Sequence, residues 1–256
     1  MTPVRVAVLG TGRIGRMHAE LLSEQVEGAT LAAVHDTAAE VAEPVGRWLG
    51  APVAATAEEL YESDEVDAIA ICTSTDTHVE QVVAAAAAGK AILCEKPISL
   101  DLAEVDRALE AVERTGVLFQ VGFNRRFDPA HQSVRDAVVS GSIGDVHLVR
   151  ISSRDPAPPP LEYARHSGGL FLDMTIHDFD MAQYVTGSEV VEVFARGAVR
   201  ITPELVELGD VDTAVVTLTF ENGGTQVVTA TIEKIGSMGP HAMGSMGSGS
   251  TPMNQH

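Results

Sequence analysis

The sequence has few aromatic residues and few cysteines, and each shortage narrows the class of protein. Aromatic residues make up 4% of the chain, so a core has to be built mainly from alanine, valine, isoleucine and leucine. Two cysteines, Cys72 and Cys94, are too few for a disulfide-rich secreted scaffold, and each closes an apolar, strand-like run. We expect both to be reduced thiols in the core of a cytoplasmic protein.

Positively charged residues are also scarce. The chain has 17 Lys and Arg against 36 Asp and Glu, which gives a net charge of -19 at pH 7. Nucleic acids and anionic membranes both require a basic face, so neither is an expected partner.

Long hydrophobic runs are missing as well. The stretch of lowest polarity, Val82–Gly89, is far shorter than the ~20 residues of a membrane-spanning helix. Nothing before the apolar run Val4–Leu9 has the pattern of a secretory leader.

The first half of the chain alternates short apolar runs with helical patterns. Strands that are apolar on both faces are predicted at Val4–Leu9, Leu31–Val34, Val66–Cys72, Ala91–Cys94 and Val117–Val121. Helices are predicted at Ile14–Ser23, Ala38–Leu49, His78–Ala88 and Leu102–Arg114, the last two with Thr77 and Asp101 as N-caps. Because such strands must be covered by helices on both sides, the pattern predicts an α/β fold with a doubly wound parallel sheet of Rossmann type.

The second half predicts an α+β domain. Residues 152–160 are rich in proline and predict a loop, and a helix is predicted over about Leu172–Val185. β-type runs follow at Val190–Arg200, Val211–Glu221 and Thr225–Ile232, with a hairpin signal over Glu221–Gly224. We expect one domain over residues 1–122 and a second over residues 123–235. The Gly, Ser and Met-rich residues 236–256 are expected to be a disordered tail.

The motif Gly10-Thr11-Gly12-Arg13-Ile14-Gly15 has the form of a dinucleotide-binding turn, since it follows a predicted strand and opens a predicted helix. Gly10 permits the tight turn, Gly12 lets the backbone approach a pyrophosphate, and Gly15 allows close packing of helix on strand. Asp36 ends the next strand, where its carboxylate would accept ribose hydroxyls and repel a 2′-phosphate. The motif therefore predicts NAD as the cofactor in preference to NADP.

Lys96, in Glu95-Lys96-Pro97, follows the strand predicted at Ala91–Cys94. It therefore lies at the ligand edge of a parallel sheet, although a solvated lysine in a turn is the alternative. On a helix Asp173 and His177 would share a face, with the carboxylate orienting the imidazole. A neutral imidazole is a suitable acceptor for the proton of an alcohol, and an ammonium stabilises the developing alkoxide.

Three alternatives stay open for these residues. The cluster around His177 fits equally an acidic helix N-terminus with a structural histidine. A metal-dependent hydrolase would use Asp173, His177, Asp178 and His166 as ligands, but it leaves the glycine motif unused, so no metal site is predicted. The pair Arg125-Arg126 would offer donors to hydroxyl groups or form a basic surface pair.

Taken together, these motifs resemble the Gfo/Idh/MocA oxidoreductases, most closely their inositol 2-dehydrogenase members. The resemblance is carried by Gly10–Gly15 with His18, by Thr73–His78, Glu95–Pro97 and Gly122–Phe127, and above all by Gly168–Asp180. It implies a Rossmann domain followed by a domain with a large, mostly antiparallel open sheet. It also implies catalysis by Lys96, Asp173 and His177, cofactor contacts at Arg13, Ile14, Thr73, His78 and Glu95, and polyol contacts at Arg126 and Asp155.

The same resemblance implies a cis peptide bond before Pro97 and assembly as homodimers or homotetramers through the open sheet. Family members continue with further strands and helices where this chain has its Gly, Ser and Met-rich segment, so we expect a shortened second domain. The expected function is oxidation of a secondary hydroxyl of a cyclic polyol or sugar by NAD. A catalytically impaired NAD-binding protein, either a truncated relic or a redox-sensing subunit, is the alternative.

Overall fold

Two separate β-sheets organise the chain in the computed structural model, which describes residues 2–232. The predicted tail at residues 236–256 and the end of the predicted second domain lie outside the described residues. The first sheet is parallel throughout and consists of β1 (Val4–Leu9), β2 (Ala29–His35), β3 (Ala68–Ile71), β4 (Ala91–Cys94) and β5 (Phe119–Val121).

The strand order of the first sheet is β2-β1-β3-β4-β5, so the chain leaves β1 toward one edge and returns to β3 on its other side. In an open parallel sheet, such a reversal leaves a crevice at the carboxyl ends of the two central strands. Strands β1, β3 and β4 all end at this edge. The residues that follow them, among them Gly10, Thr73 and Lys96, therefore lie there.

Helices cover both faces of the first sheet, as predicted. They are α1 (Arg13–Glu24), α2 (Ala39–Leu49), α3 (Ala57–Glu62), α4 (His78–Ala87) and α5 (Leu102–Thr115). Because neighbouring residues on a strand point to opposite faces, Leu9 packs with Val82 of α4 and Ala108 of α5, while Val8 packs with Ala19 of α1. The doubly wound α/β prediction is confirmed.

One of the two predicted N-caps is wrong. Asp101 accepts a hydrogen bond from the N–H of Ala103 at 2.9 Å and caps α5 as expected. The hydroxyl of Thr77 instead donates to Thr73 Oγ1 and to the carbonyl of Ser74, because a 3₁₀ turn over Thr75–Thr77 precedes α4. Helix α3 was not predicted; the side chain of Thr56 caps it.

The second sheet contains β6 (Leu148–Asp155), β7 (Val190–Ala198), β8 (Thr213–Phe220) and β9 (Thr225–Ile232), in the order β6-β9-β8-β7. The β7–β8 and β8–β9 pairs are antiparallel, and the β6–β9 pair is parallel. The predicted mostly antiparallel sheet is therefore confirmed, as is the β8–β9 hairpin. The helices of this half are α6 (Pro129–Val139), α7 (Leu161–Ala164) and α8 (Ile176–Thr186), and Ala182 of α8 packs on Val216 of β8.

Two predictions for the second half need correction. The loop predicted over residues 152–160 is wrong for its first part, because β6 continues to Asp155 with β9 as its parallel partner. The helix predicted over Leu172–Val185 is interrupted, since a π-helical turn at Leu170–Met174 precedes α8. None of the helices within residues 2–232 is long and apolar enough to cross a bilayer.

Candidate functional site

The turn between β1 and α1 leaves its backbone open on one side. Gly10 has φ +81°, and a Cβ there would lie 2.6 Å from the carbonyl oxygen of Cys72. A Cβ on Gly15 would lie 1.7 Å from the carbonyl oxygen of Gly10, so neither position accepts a side chain. At Gly12 a Cβ would meet nothing within 4 Å, so the space outside the turn is free.

That free space faces the amino end of α1. Among the described residues no side chain caps this helix, and no acidic residue lies in its first turn, so its N–H groups and the positive end of its dipole are available. Arg13 is exposed and Ile14 is half-buried at this end of the helix. The arrangement fits the pyrophosphate of a dinucleotide.

Asp36 lies directly after β2 and is fixed against the glycine turn. Its Oδ2 accepts hydrogen bonds from the N–H of Thr11 at 2.8 Å and from the Thr11 hydroxyl at 3.2 Å. Its Oδ1 accepts from the N–H of Ala38 at 3.0 Å. A negative charge held at this position fits a free ribose diol and disfavours a 2′-phosphate.

Lys96 and Asp173 meet although they lie 77 residues apart in the sequence. The Lys96 ammonium donates to the Asp173 carbonyl oxygen at 2.8 Å and to its Oδ1 at 2.9 Å. The peptide bond between Lys96 and Pro97 is cis, as the resemblance implied. The two side chains are 15% and 25% exposed, so the pair is shielded from bulk water yet reachable by a ligand.

Asp173 is presented by the π-helical turn, in which the N–H of Thr175 donates to the carbonyl of Leu170 at 2.9 Å. Such turns recur at functional sites. Asp210 anchors the start of the turn by accepting from the N–H of Leu170 at 3.0 Å. The carboxylate of Asp173 bonds to Lys96 and to the hydroxyl of Tyr163, and not to His177. The prediction that Asp173 orients the imidazole is therefore wrong, because the π turn changes its direction.

His177 lies in the first turn of α8 and is half-buried. Its ring packs edge-on against Phe123, with ring centroids 6.4 Å apart, and its Nδ1 is buried without a hydrogen-bond partner among the described residues. Burial and the positive charges of Lys96 and Arg125 lower the pKa of His177 to about 4, although Asp178 and Glu95 oppose this. The imidazole is therefore neutral near pH 7 and lies within the field of the Lys96 ammonium.

Glu95 is held by α1. Its Oε1 lies 2.8 Å from Nε2 of His18, and a Cβ on Gly122 would lie 3.0 Å from its Oε2. Burial raises the pKa of Glu95, but hydrogen bonding and charge from His18 and Lys96 outweigh this, so the net pKa lies below the usual range. The carboxylate is ionised and tied to the first turns of α1. The pairing with His18 was not predicted.

His78 is fully buried and both of its ring nitrogens face backbone carbonyls. Nδ1 lies 2.8 Å from the carbonyl oxygen of Pro97, and Nε2 lies 3.1 Å from that of Thr73. The predicted contact of His78 with the cofactor stays a prediction, and it would not use the polar atoms of the ring, since both nitrogens are engaged. His78 instead joins the segment after β3 to the segment after β4. Thr73 is half-buried on the same edge, with its Oγ1 accepting from Thr77 at 2.7 Å.

The two predicted polyol contacts, Arg126 and Asp155, lie in different surroundings, and their roles stay predictions. The Arg126 guanidinium is paired with Asp180 through three contacts of 2.6 to 3.0 Å, and this pairing raises its pKa. Asp155 is exposed at the end of β6 and, within residues 2–232, forms no hydrogen bond with the Lys96–Asp173 pair. Of the two neighbouring arginines, Arg125 is the one whose charge reaches His177.

Arg125 belongs to a buried network beside His177. Its guanidinium bonds to Oδ1 of Asp178, a residue with no exposed surface, and Ser153 of β6 donates to the same oxygen at 2.6 Å. The proposed metal ligands therefore do not converge, since Asp178 is engaged here and His166 lies on the surface near Glu162. Among the described residues, no group of three or more His, Cys, Asp and Glu is placed to hold a metal ion.

Two family models match the chain in succession. A model described as "Oxidoreductase family, NAD-binding Rossmann fold" matches residues 4–123, and one for the "GFO/IDH/MocA C-terminal domain" matches residues 131–244. The chain belongs to the Gfo/Idh/MocA oxidoreductase family. This membership confirms the family that the sequence motifs indicated, together with the oxidoreductase class and NAD as cofactor.

Several Gfo/Idh/MocA relatives resemble the chain closely. It is 50% identical over 226 residues to the myo-inositol 2-dehydrogenase of Thermotoga maritima, covering 88% of this chain and 67% of that protein. A crystal structure of a probable dehydrogenase from Thermotoga maritima matches with a TM-score of 0.87 and 48% identity, over 90% of this chain and 69% of that one. The chain thus spans about two thirds of the length of these relatives.

A second similar structure contains ligands. It is the scyllo-inositol dehydrogenase of Lactobacillus casei with bound NAD(H) and scyllo-inositol, which matches with a TM-score of 0.83 and 29% identity. The match covers 92% of this chain and 72% of that one.

Proposed function

We propose that this chain oxidises a secondary hydroxyl of a cyclic polyol or sugar, with inositols as the leading substrates, and produces a ketone and NADH. The observation that carries the proposal is the contact of Lys96, at the carboxyl edge of the parallel sheet, with Asp173 from the second half of the chain. His177 lies close enough for the Lys96 charge to lower its pKa. An ammonium, a carboxylate and a neutral imidazole next to a dinucleotide turn are the groups that alcohol oxidation requires.

The first half of the chain supplies the cofactor-holding groups in this proposal. The open side of Gly12 and the free N–H groups of α1 take the pyrophosphate, and Asp36 accepts hydrogen bonds from the adenosine ribose. We assign residues 1–122 to this NAD-binding domain and residues 123–235 to the substrate domain.

The second half supplies the proton acceptor. NAD⁺, when bound, provides the acceptor for the hydride that leaves the carbinol carbon. His177 takes the hydroxyl proton on Nε2, because its Nδ1 is buried. Lys96 stabilises the negative charge that develops on the oxygen, and Asp173 holds the ammonium in place through Oδ1. The carbon loses a hydride and the oxygen a proton, which leaves a ketone.

The inositol preference is supported by the relatives, since the one from Thermotoga maritima is named a myo-inositol 2-dehydrogenase and the Lactobacillus casei structure holds scyllo-inositol. Vicinal hydroxyls suit a site with several charged donors and acceptors, because each buried polar group then finds a partner. The non-catalytic alternative gains no support from the relatives, three of which are named as inositol 2-dehydrogenases.

We also propose that the protein is a cytoplasmic homodimer or homotetramer that associates through the second sheet. The support is the exposed edge strand β7, on which Val191, Val193 and Phe194 are 59%, 60% and 64% exposed. Exposed apolar side chains on a sheet edge are a common site of association.

The test is a spectrophotometric assay of NADH formation with myo-inositol, scyllo-inositol and a panel of hexoses. We expect turnover with at least one inositol and a strong preference for NAD⁺ over NADP⁺. Tight binding of NAD⁺ with no turnover across the panel would contradict the proposal and favour the non-catalytic alternative.

A further inference from the structure

A tyrosine outside the predicted site bonds to the same carboxylate as Lys96. The hydroxyl of Tyr163, on the short helix α7, donates to Oδ1 of Asp173 at 3.0 Å. The ammonium of Lys96 donates to the same oxygen at 2.9 Å. The sequence motifs did not include Tyr163. It lies after the proline-rich segment, ten residues before Asp173.

Two donors on one oxygen leave the other oxygen of Asp173 available. Within residues 2–232, Oδ2 forms no hydrogen bond with another residue, and a quarter of the side chain is exposed. A carboxylate anchored through Oδ1 and open at Oδ2 is suited to accept a hydroxyl of a bound polyol. The direction of Oδ2 depends on both donors, because a single ammonium allows the carboxylate to rotate about it.

Tyr163 acts as a donor at this position over the usual range of pH. Tyr163 is 51% exposed, and the partial burial of its ring raises its pKa to about 12; the charge of Asp173 adds to this rise and Arg13 opposes it. The phenol therefore stays protonated in neutral and moderately alkaline solution.

We propose that Tyr163 is a positioning residue for the dehydrogenation, holding Asp173 so that Lys96 lies on one carboxylate oxygen and the polyol on the other. The inference rests on the proposed function. Without the hydroxyl, Lys96 remains the sole side-chain donor to Oδ1 within the described part of the chain. Asp173 Oδ2 then points at the polyol hydroxyl in a smaller fraction of the bound complexes, so the carbinol carbon is correctly placed for hydride loss less often.

The experiment compares Tyr163→Phe with the wild type and with Tyr184→Phe as a matched control. Tyr184, on α8, packs its ring between Arg126 and Arg135, and its hydroxyl bonds to no other residue within the described range. For the polyol that the wild type uses best, we expect kcat/KM of Tyr163→Phe to fall about tenfold, the size expected for one hydrogen bond to a charged group. The thermal midpoint and the calorimetric Kd for NAD⁺ should stay at their wild-type values.

A second measurement separates alignment from simple structural damage. With polyol deuterated at the reacting carbon, the primary isotope effect on kcat/KM should rise in Tyr163→Phe, because hydride loss becomes slower relative to the other steps. Tyr184→Phe should show the wild-type isotope effect.

Two outcomes would overturn the inference while leaving the proposed function in place. One is a Tyr163→Phe enzyme with wild-type kcat/KM and isotope effect. The other is a parallel loss of activity, NAD⁺ affinity and thermal stability, which would mark a structural role. A wild type that turns over no polyol in the panel contradicts the proposed function, and the positioning role is contradicted with it.

Discussion

At the scale of single residues, the site depends on three groups, Lys96, Asp173 and His177, that come from two distant parts of the sequence. Lys96 is identifiable from its motif because a residue after a parallel strand reaches the ligand edge of the sheet. Its partner is not predictable from spacing, since Asp173 lies 77 residues further on and is aimed by a π turn. Likewise, the sequence indicates an arginine pair but does not show that Arg126 is paired with Asp180 and Arg125 with Asp178.

Replacing Lys96 tests the role of the ammonium. Lys96→Met keeps the length of the side chain and removes the charge, so we expect kcat to fall by about 10²- to 10³-fold, as for loss of one donor to a developing oxyanion. The Kd for NAD⁺ should change little, because the glycine turn is untouched. Steady-state kinetics and calorimetry check this, and wild-type turnover by Lys96→Met would remove Lys96 from the mechanism.

The low pKa of His177 gives a prediction for stability. A histidine with a folded-state pKa of about 4 and an unfolded value near 6.5 binds a proton less readily when folded. The unfolded state is therefore favoured as pH falls from about 6.5 to about 4, and the folded state regains stability as pH rises through this window.

His177→Asn removes this titration. Chemical denaturation at several pH values should show that the wild type loses more unfolding free energy than the variant between neutral pH and about pH 4. Parallel pH dependence of the two proteins would show that the imidazole is not held in its neutral form by the fold.

At the scale of elements, the elements predicted best are those whose pattern is local. The five strands and four of the helices of the first sheet follow from apolar runs and helical periodicity. Strand β6 is absent from the sequence prediction, because its ladder partner β9 lies 77 residues further on, where Thr225 pairs with Leu148, and a proline-rich segment follows it. The π turn was missed because it is anchored by Asp210, from the loop before β8.

Gly169 tests this anchoring. The residue has φ +69°, and a Cβ there would lie 2.4 Å from Oδ1 of Asp210. The matched control is Gly209, with φ +68° and nothing within 4 Å of a Cβ. We expect Gly209→Ala to cost about 1 kcal/mol through its backbone conformation alone, and Gly169→Ala to cost roughly 1–3 kcal/mol more through overlap.

Denaturant titration of the two glycine variants measures the difference. Gly169→Ala should also lower kcat, because displacement of Asp210 moves the turn that carries Asp173. Equal stability losses in the two variants would mean that the close approach of Asp210 does not hold this turn.

At the scale of the whole molecule, the two sheets share one site but differ in how they are covered. Helices cover both faces of the first sheet, whereas α8 packs on the second sheet and leaves β7 largely exposed. Association of copies of the chain through the second sheet, as we propose, would cover the exposed side chains of β7.

Phe194→Asp tests the association. Phe194 is 64% exposed on β7, and a charge there should convert an oligomer to a monomer in light scattering. Leu118→Asp is the control, since Leu118 is 80% exposed but precedes β5 in the first sheet, and it should leave the oligomer intact. A wild type that is already monomeric would contradict association through this sheet.

The proposed loss of hydride from the carbinol carbon of the substrate can be followed with an isotope label. The wild type is incubated with NAD⁺ and myo-inositol carrying deuterium on its ring carbons, and the reduced nucleotide is analysed by mass spectrometry. Direct hydride transfer in the site of Lys96, Asp173 and His177 predicts NADH that carries one deuterium from the substrate carbon, and almost none of this product with Lys96→Met. Reduced nucleotide without deuterium, or equal amounts of labelled NADH from both proteins after the same incubation, would contradict it.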